Sequence, residues 1–120
     1  MLAKKNRADR KTIENIFKNG VFINSANISL KFISSKSPAP AQISFITPKT
    51  VSKKAVVRNQ LRRRGYAAVR KYFNKFPPGF VGAFIFGKKS GAMFGGEKTK
   101  QYNPILNLEN EIQIILGKLH

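Results

Sequence analysis

The sequence predicts a small α+β domain with helices packed on one sheet, in the order αββαβα. Three observations carry this. Some stretches repeat apolar residues at helical spacing, others alternate or run apolar over strand lengths, and Pro and Gly separate the two kinds. At 120 residues the chain suits one modest core, so a single domain over residues 1–120 is expected. Ten Phe residues and a 42% apolar content exceed what a disordered basic tail would carry.

Residues 11–18 read as a short amphipathic helix through Ile13, Ile16 and Phe17. Asp9 is a candidate cap, and Asn19-Gly20 supplies a left-handed stop. Residues 27–34 alternate, with Ile28, Leu30 and Phe32 on one face and Ser29, Lys31 and Ile33 on the other. After a Ser/Pro loop, residues 41–47 form a second strand, with Ile43 and Phe45 opposite Ser44 and Ile46. A short antiparallel hairpin is the economical pairing of the two. Residues 55 to about 74 make the longest helix, with Val57, Leu61, Ala68 and Tyr72 as its stripe, widened by Val69 and Phe73. Gly65 inside it costs about 1 kcal/mol relative to Ala, which suggests close approach of another backbone. Pro77-Pro78-Gly79 ends that segment. Residues 80–86, nearly all apolar, fit a strand buried on both faces. Residues 88–102 read as a mobile Gly-rich loop. Asn107 can cap a last helix reaching Leu119, with Leu108, Ile112, Ile115, Leu116 and Leu119 inward and Glu109 and Glu111 near its positive end.

Charge decides which functions remain open. Lys and Arg outnumber Asp and Glu 23 to 5, a formal charge of +18, and no acid occurs from Asn15 to Gly96. Such self-repulsion is tolerated when the field holds a polyanion. No apolar run reaches membrane-span length and the start lacks a signal-peptide apolar region, so a cytoplasmic location without membrane contact is expected. With no Cys, disulfides and thiolate zinc sites are excluded, and a single histidine, His120, removes most protein-based acid–base and metal chemistry from consideration. The acids Asp9, Glu14, Glu97, Glu109 and Glu111 form no recognisable metal cluster, and Gly91 to Gly96 lacks the lysine of a phosphate loop. No catalytic residue is expected in this chain.

The field concentrates in Lys53-Lys54-Ala55-Val56-Val57-Arg58-Asn59-Gln60-Leu61-Arg62-Arg63-Arg64. On the predicted helix Arg58 and Arg62 share one face, and Arg63 and Arg70 share a neighbouring one. The helix start offers free backbone N–H groups beside Lys53 and Lys54, which suits phosphate. Asn59 can reach a sugar or a base edge. A solvated charged face would interleave Glu at i±4, and none occurs, so nucleic acid is the expected partner. Most Phe residues, Phe80, Phe84 and Phe86 among them, suit the core. Phe17 and the exposed side of the first two strands are candidates for stacking on unpaired bases.

Lys53-Lys54-Ala55-Val56-Val57-Arg58-Asn59 with Leu61-Arg62-Arg63 resembles the bacterial ribonuclease P protein component. The resemblance extends to Asn6-Arg7, to Ile16-Phe17-Lys18-Asn19-Gly20 and to Ser44-Phe45-Ile46-Thr47-Pro48-Lys49, covering roughly residues 6–90. It implies an αβββαβα-like sandwich, similar to a ribosomal-protein domain, with the basic helix in a left-handed βαβ crossover. It also implies the protein subunit of an RNA enzyme that removes the 5′ leader of precursor tRNA. The catalytic groups and their magnesium would then belong mainly to the partner RNA. Carried onto this chain, Arg7, Lys49, Lys53, Lys54, Arg58, Asn59, Arg62, Arg63 and Arg70 would bind the catalytic RNA. Phe17 and Lys31 would face the leader. Gln60 stands where the family has a second Arg, so the role of that guanidinium is absent or passes to Arg62 or Arg64. Ile13 stands where an aromatic is common. The alternatives are a ribosomal or other structural RNA-binding protein and a self-sufficient nuclease.

Overall fold

The computed structural model describes residues 10–34, 38, 40–97 and 99–119. In chain order the elements are α1 (Arg10–Asn19), β1 (Val21–Asn24), β2 (Ile28–Ser34), β3 (Gln42–Ile46), α2 (Ala55–Arg70), a 3-10 turn (Phe73–Lys75), β4 (Phe80–Phe86), α3 (Ser90–Phe94) and α4 (Pro104–Leu119). Asp9, the expected cap of α1, lies outside the described residues. The order is α+β as expected, with one strand more than periodicity showed. β1 is too short, and apolar at three of its four positions, to display an alternation.

The sheet runs β1-β2-β4-β3. The expected hairpin between residues 27–34 and 41–47 is therefore not formed. β4 lies between those strands, antiparallel to β2 (Leu30 opposite Phe84) and parallel to β3 (Phe45 opposite Phe84). The physical reason is composition. β4 is apolar on both faces, which suits a central place where α1 covers one face and α2 and α4 the other, whereas β2 and β3 each carry one more polar face. Because β3 and β4 are parallel, the chain between them must cross over, and α2 is that crossover.

One face of the sheet makes the main core. Leu30, Ile43, Phe45, Phe84 and Phe86 pack against Leu61, Tyr66, Val69 and Tyr72 of the α2 segment and Leu108, Ile112 and Ile115 of α4. Phe45 stacks on Phe84 with ring centroids 5.0 Å apart and meets Tyr66 edge-on. Gly65 is explained here. A Cβ at that position would lie 2.5 Å from the Phe45 ring, so the close approach is by an aromatic side chain rather than by another backbone.

α1 covers part of the opposite face, resting on β2 and β4 through fully buried Ile16. Gly20 ends it, though not in the expected left-handed conformation. Its N–H donates to the Ile16 carbonyl (2.7 Å), and a Cβ would lie 2.4 Å from that same oxygen. Glycine is required by contact.

Two expectations near the C-terminal end are also corrected. Residues 88–102 carry α3, whose Phe94 is fully buried. α4 begins at Pro104, where a fixed φ suits the first turn, and Asn103 Oδ1 accepts the Leu106 N–H (3.1 Å). Asn107, the expected cap, instead donates its amide to the Met93 carbonyl (3.1 Å). Glu111 is nearly buried at 7% exposure and accepts from Ser25 Oγ, the Asn27 N–H and Asn27 Nδ2 at 2.6, 2.7 and 2.9 Å. It ties α4 to the β1–β2 turn, and Lys118 Nζ donates to the Asn24 carbonyl beside it (2.6 Å).

Candidate nucleic-acid interface

α2 buries Leu61, Gly65, Tyr66, Ala68 and Val69 against the core, so the intervening positions face outward. Lys53, Lys54, Asn59, Arg62, Arg63 and Arg70 are exposed to differing degrees, as is Lys49 in the connector. The helix has no side-chain cap at Lys54 and no acid in its first turn, which leaves its initial N–H groups and the positive end of its dipole open. Among the described residues the ion pairs are Arg10–Glu14 and Lys71–Glu109, and neither engages this surface.

The expected site residues fall into groups. Lys53 and Lys54 lie just before the helix start, and Asn59, Arg62 and Arg63 come together on its first three turns, where they line one hollow. Arg62 donates to Asn59 Oδ1, which orients both side chains along the helix surface. Arg70 lies three turns further on, about 18 Å from Arg58 at 1.5 Å per residue. Arg58 is half-buried, and its guanidinium donates to the Ser52 carbonyl (2.9 Å), so it braces the connector while keeping its charge near the helix start. Arg7 lies outside the described residues.

Beside the basic turns lies an open hollow of about 700 Å³, lined by Phe45, Val56, Asn59, Gln60, Arg62, Arg63 and Tyr66. Val56 is 78% exposed at its edge, an apolar spot within a cationic rim.

Gln60 and Arg64 do different work. Arg64 donates to the Phe94 carbonyl (2.7 Å) and to the Gly96 carbonyl, and Gln60 Oε1 accepts the Gly96 N–H (3.3 Å). Tyr102 Oη donates to the Gly95 carbonyl. Burial pushes the Tyr102 phenol above its ordinary pKa of 10.0, partly opposed by the positive charge of Arg64. These side chains clamp the segment after α3 onto α2. Arg64 is committed to that clamp.

The second group lies on the α1 side of the sheet. Lys31 Nζ donates to the Phe17 carbonyl (2.6 Å) and sits 5.4 Å from the centroid of the Phe17 ring and 4.6 Å from that of Phe22. Phe17 and Lys31 were the expected pair. Phe22 was missed because β1 was not read as a strand, although Val21-Phe22-Ile23 directly after a helix stop was a usable signal. Among the described residues, no group of three or more His, Cys, Asp or Glu side chains could hold a metal ion.

A family model described as Ribonuclease P matches residues 2–108. No curated protein sequence matches. Among solved structures, the chain is similar to an RNase P protein from Thermotoga maritima, with TM-score 0.76 and 19% identity over 95% of this chain and 97% of that one. It is similar also to a Staphylococcus aureus RNase P protein, with TM-score 0.72 and 13% identity over 98% of this chain and 96% of that one. At these identities the structural likeness is one of fold.

Proposed function

The chain belongs to the ribonuclease P family, a subunit of an endoribonuclease of tRNA processing, and on that premise we propose that it binds the enzyme's catalytic RNA through α2 and the 5′ leader of precursor tRNA beside α1. The observation that carries this reading is the outward face of α2 and the residues leading into it, where Lys53, Lys54, Asn59, Arg62 and Arg63 stand with no carboxylate partner among the described residues.

In this reading the protein binds and orients. Lys53 and Lys54 place charge where the open N–H groups of α2 already favour phosphate. Arg62 and Arg63 present forked donors suited to paired phosphate oxygens, and Arg58 holds the connector that carries Lys49 and Lys53. Phe17 and Lys31 offer a ring face and an ammonium to an unpaired strand. The described carboxylates do not fit a magnesium site, since Glu111 is consumed by the β1–β2 turn and the others are dispersed. In this reading magnesium and the groups that cleave the phosphodiester belong to the RNA. The reading puts this work in the cytoplasm; no helix among the described residues is long and apolar enough to cross a membrane.

The test adds the purified chain to a bacterial ribonuclease P RNA at low magnesium and follows leader release from precursor tRNA. Faster cleavage is expected with the protein, and none by the protein alone. RNA binding without stimulation would instead favour a structural RNA-binding role.

A further inference from the structure

The Phe17–Lys31 pair does not stand alone. In the β1–β2 register Phe22 is directly opposite Lys31, so its ring lies on the same sheet face. Phe22 is 52% exposed and Phe17 is 43% exposed, each far more than a core ring, and the Lys31 ammonium lies near both. An exposed Phe on an edge strand is a liability unless something covers it. Among the described residues no carboxylate pairs with Lys31. The rings and the Phe17 carbonyl hold the ammonium without neutralising it.

We propose that Phe22 is a second stacking platform and that Phe17, Lys31 and Phe22 form one subsite for consecutive nucleotides of an unpaired strand. The charge of the molecule selects the occupant. A patch of two ring faces around an unneutralised cation, on a chain of net charge +18, complements a ligand that alternates π-faces with phosphates. Phe22 supplies ring area and Lys31 supplies charge, so the two have separable signatures. This subsite rests on the leader-binding reading above and adds β1 as its outer wall.

The experiment compares holoenzyme reconstituted with wild-type protein, Phe22→Leu, Phe22→Trp and Lys31→Met, measuring affinity for precursor tRNA and for leaderless tRNA across a salt series. Each protein alone is also titrated with a fluorescent single-stranded oligonucleotide. Phe22→Leu keeps apolar bulk but removes the ring, and is expected to weaken leader-bearing substrate and oligonucleotide by about fivefold to tenfold. Its salt slope and its affinity for leaderless tRNA should match wild type. Phe22→Trp should restore binding. Lys31→Met should lower the salt slope by about 0.7, the value for one phosphate contact on a single strand. A Phe22→Leu protein that binds like wild type, or that weakens leaderless tRNA equally, overturns the proposal. If wild-type holoenzyme shows no leader preference, the leader reading fails. In that case oligonucleotide binding sensitive to Phe22→Leu would still support the subsite, and insensitive binding would overturn it.

Discussion

Glu111 offers the sharpest test of how this fold holds its edge. The carboxylate is 7% exposed and receives three hydrogen bonds from residues more than eighty positions earlier in the chain. Glu111→Ala leaves those donors without their acceptor. The Asn27 N–H is backbone and cannot turn to water, so leaving it unsatisfied costs about 1–3 kcal/mol. The two side-chain donors can rotate, and contribute about 1 kcal/mol together. Removing the acid also relieves its own desolvation. The net expectation is a destabilisation of about 2 kcal/mol. Glu111→Gln should cost only about 1 kcal/mol. Its carbonyl can take the place of Oε1 and still accept from the Asn27 N–H and Ser25 Oγ, while the Asn27 amide turns over so that its Oδ1 accepts from the new amide. Urea unfolding followed by far-ultraviolet circular dichroism measures both values. Hydrogen exchange at Gly87, whose N–H donates to the Asn27 carbonyl (2.8 Å), should accelerate in the Ala variant. If Glu111→Ala stays within about 1 kcal/mol of wild type, the carboxylate is not what pins the β1–β2 turn.

Two further outcomes are expected. Arg62→Ala with Arg63→Ala should leave stability within about 0.5 kcal/mol of wild type, because both side chains reach solvent. The double variant should flatten the salt dependence of RNA binding by roughly 0.7–0.9 per arginine, and an unchanged slope in a filter-binding series would remove them from the interface. Tyr102 has its pKa raised by burial, so its contribution to stability is complete below the unfolded value of 10.0 and is lost as pH rises through the folded one. The stability difference between wild type and Tyr102→Phe, measured by urea unfolding, should therefore be constant below pH 10.0 and shrink above it. A difference that stays constant across that boundary counts against the buried phenol.

Much of this was legible in the sequence wherever the cause is local. The start of the long helix at Ala55 and the two-sided apolar run of β4 appear where periodicity put them, whereas the helix expected to about residue 74 ends at Arg70 and passes into the 3-10 turn before Pro77. The basic face of α2 was legible for the same reason, since a helix converts spacing directly into shared faces. The clamp on Gly96 was not. Gln60 and Arg64 read as members of a cationic block, and only the folded position of α3 shows that they hold backbone carbonyls and an N–H. Asn107 was a plausible cap by spacing, but Asn103 lies before a proline whose φ already suits the first turn.

The sequence by itself determined the elements and the sign of the field, because propensity, amphipathic spacing and net charge depend on neighbours in the chain. Tertiary structure decided strand order, the role of Glu111 and the pairing of Phe22 with Lys31. Those depend on contacts between residues distant along the chain, where hydrogen-bond register and the burial of β4 on both faces select one pairing among several that local patterns allow equally.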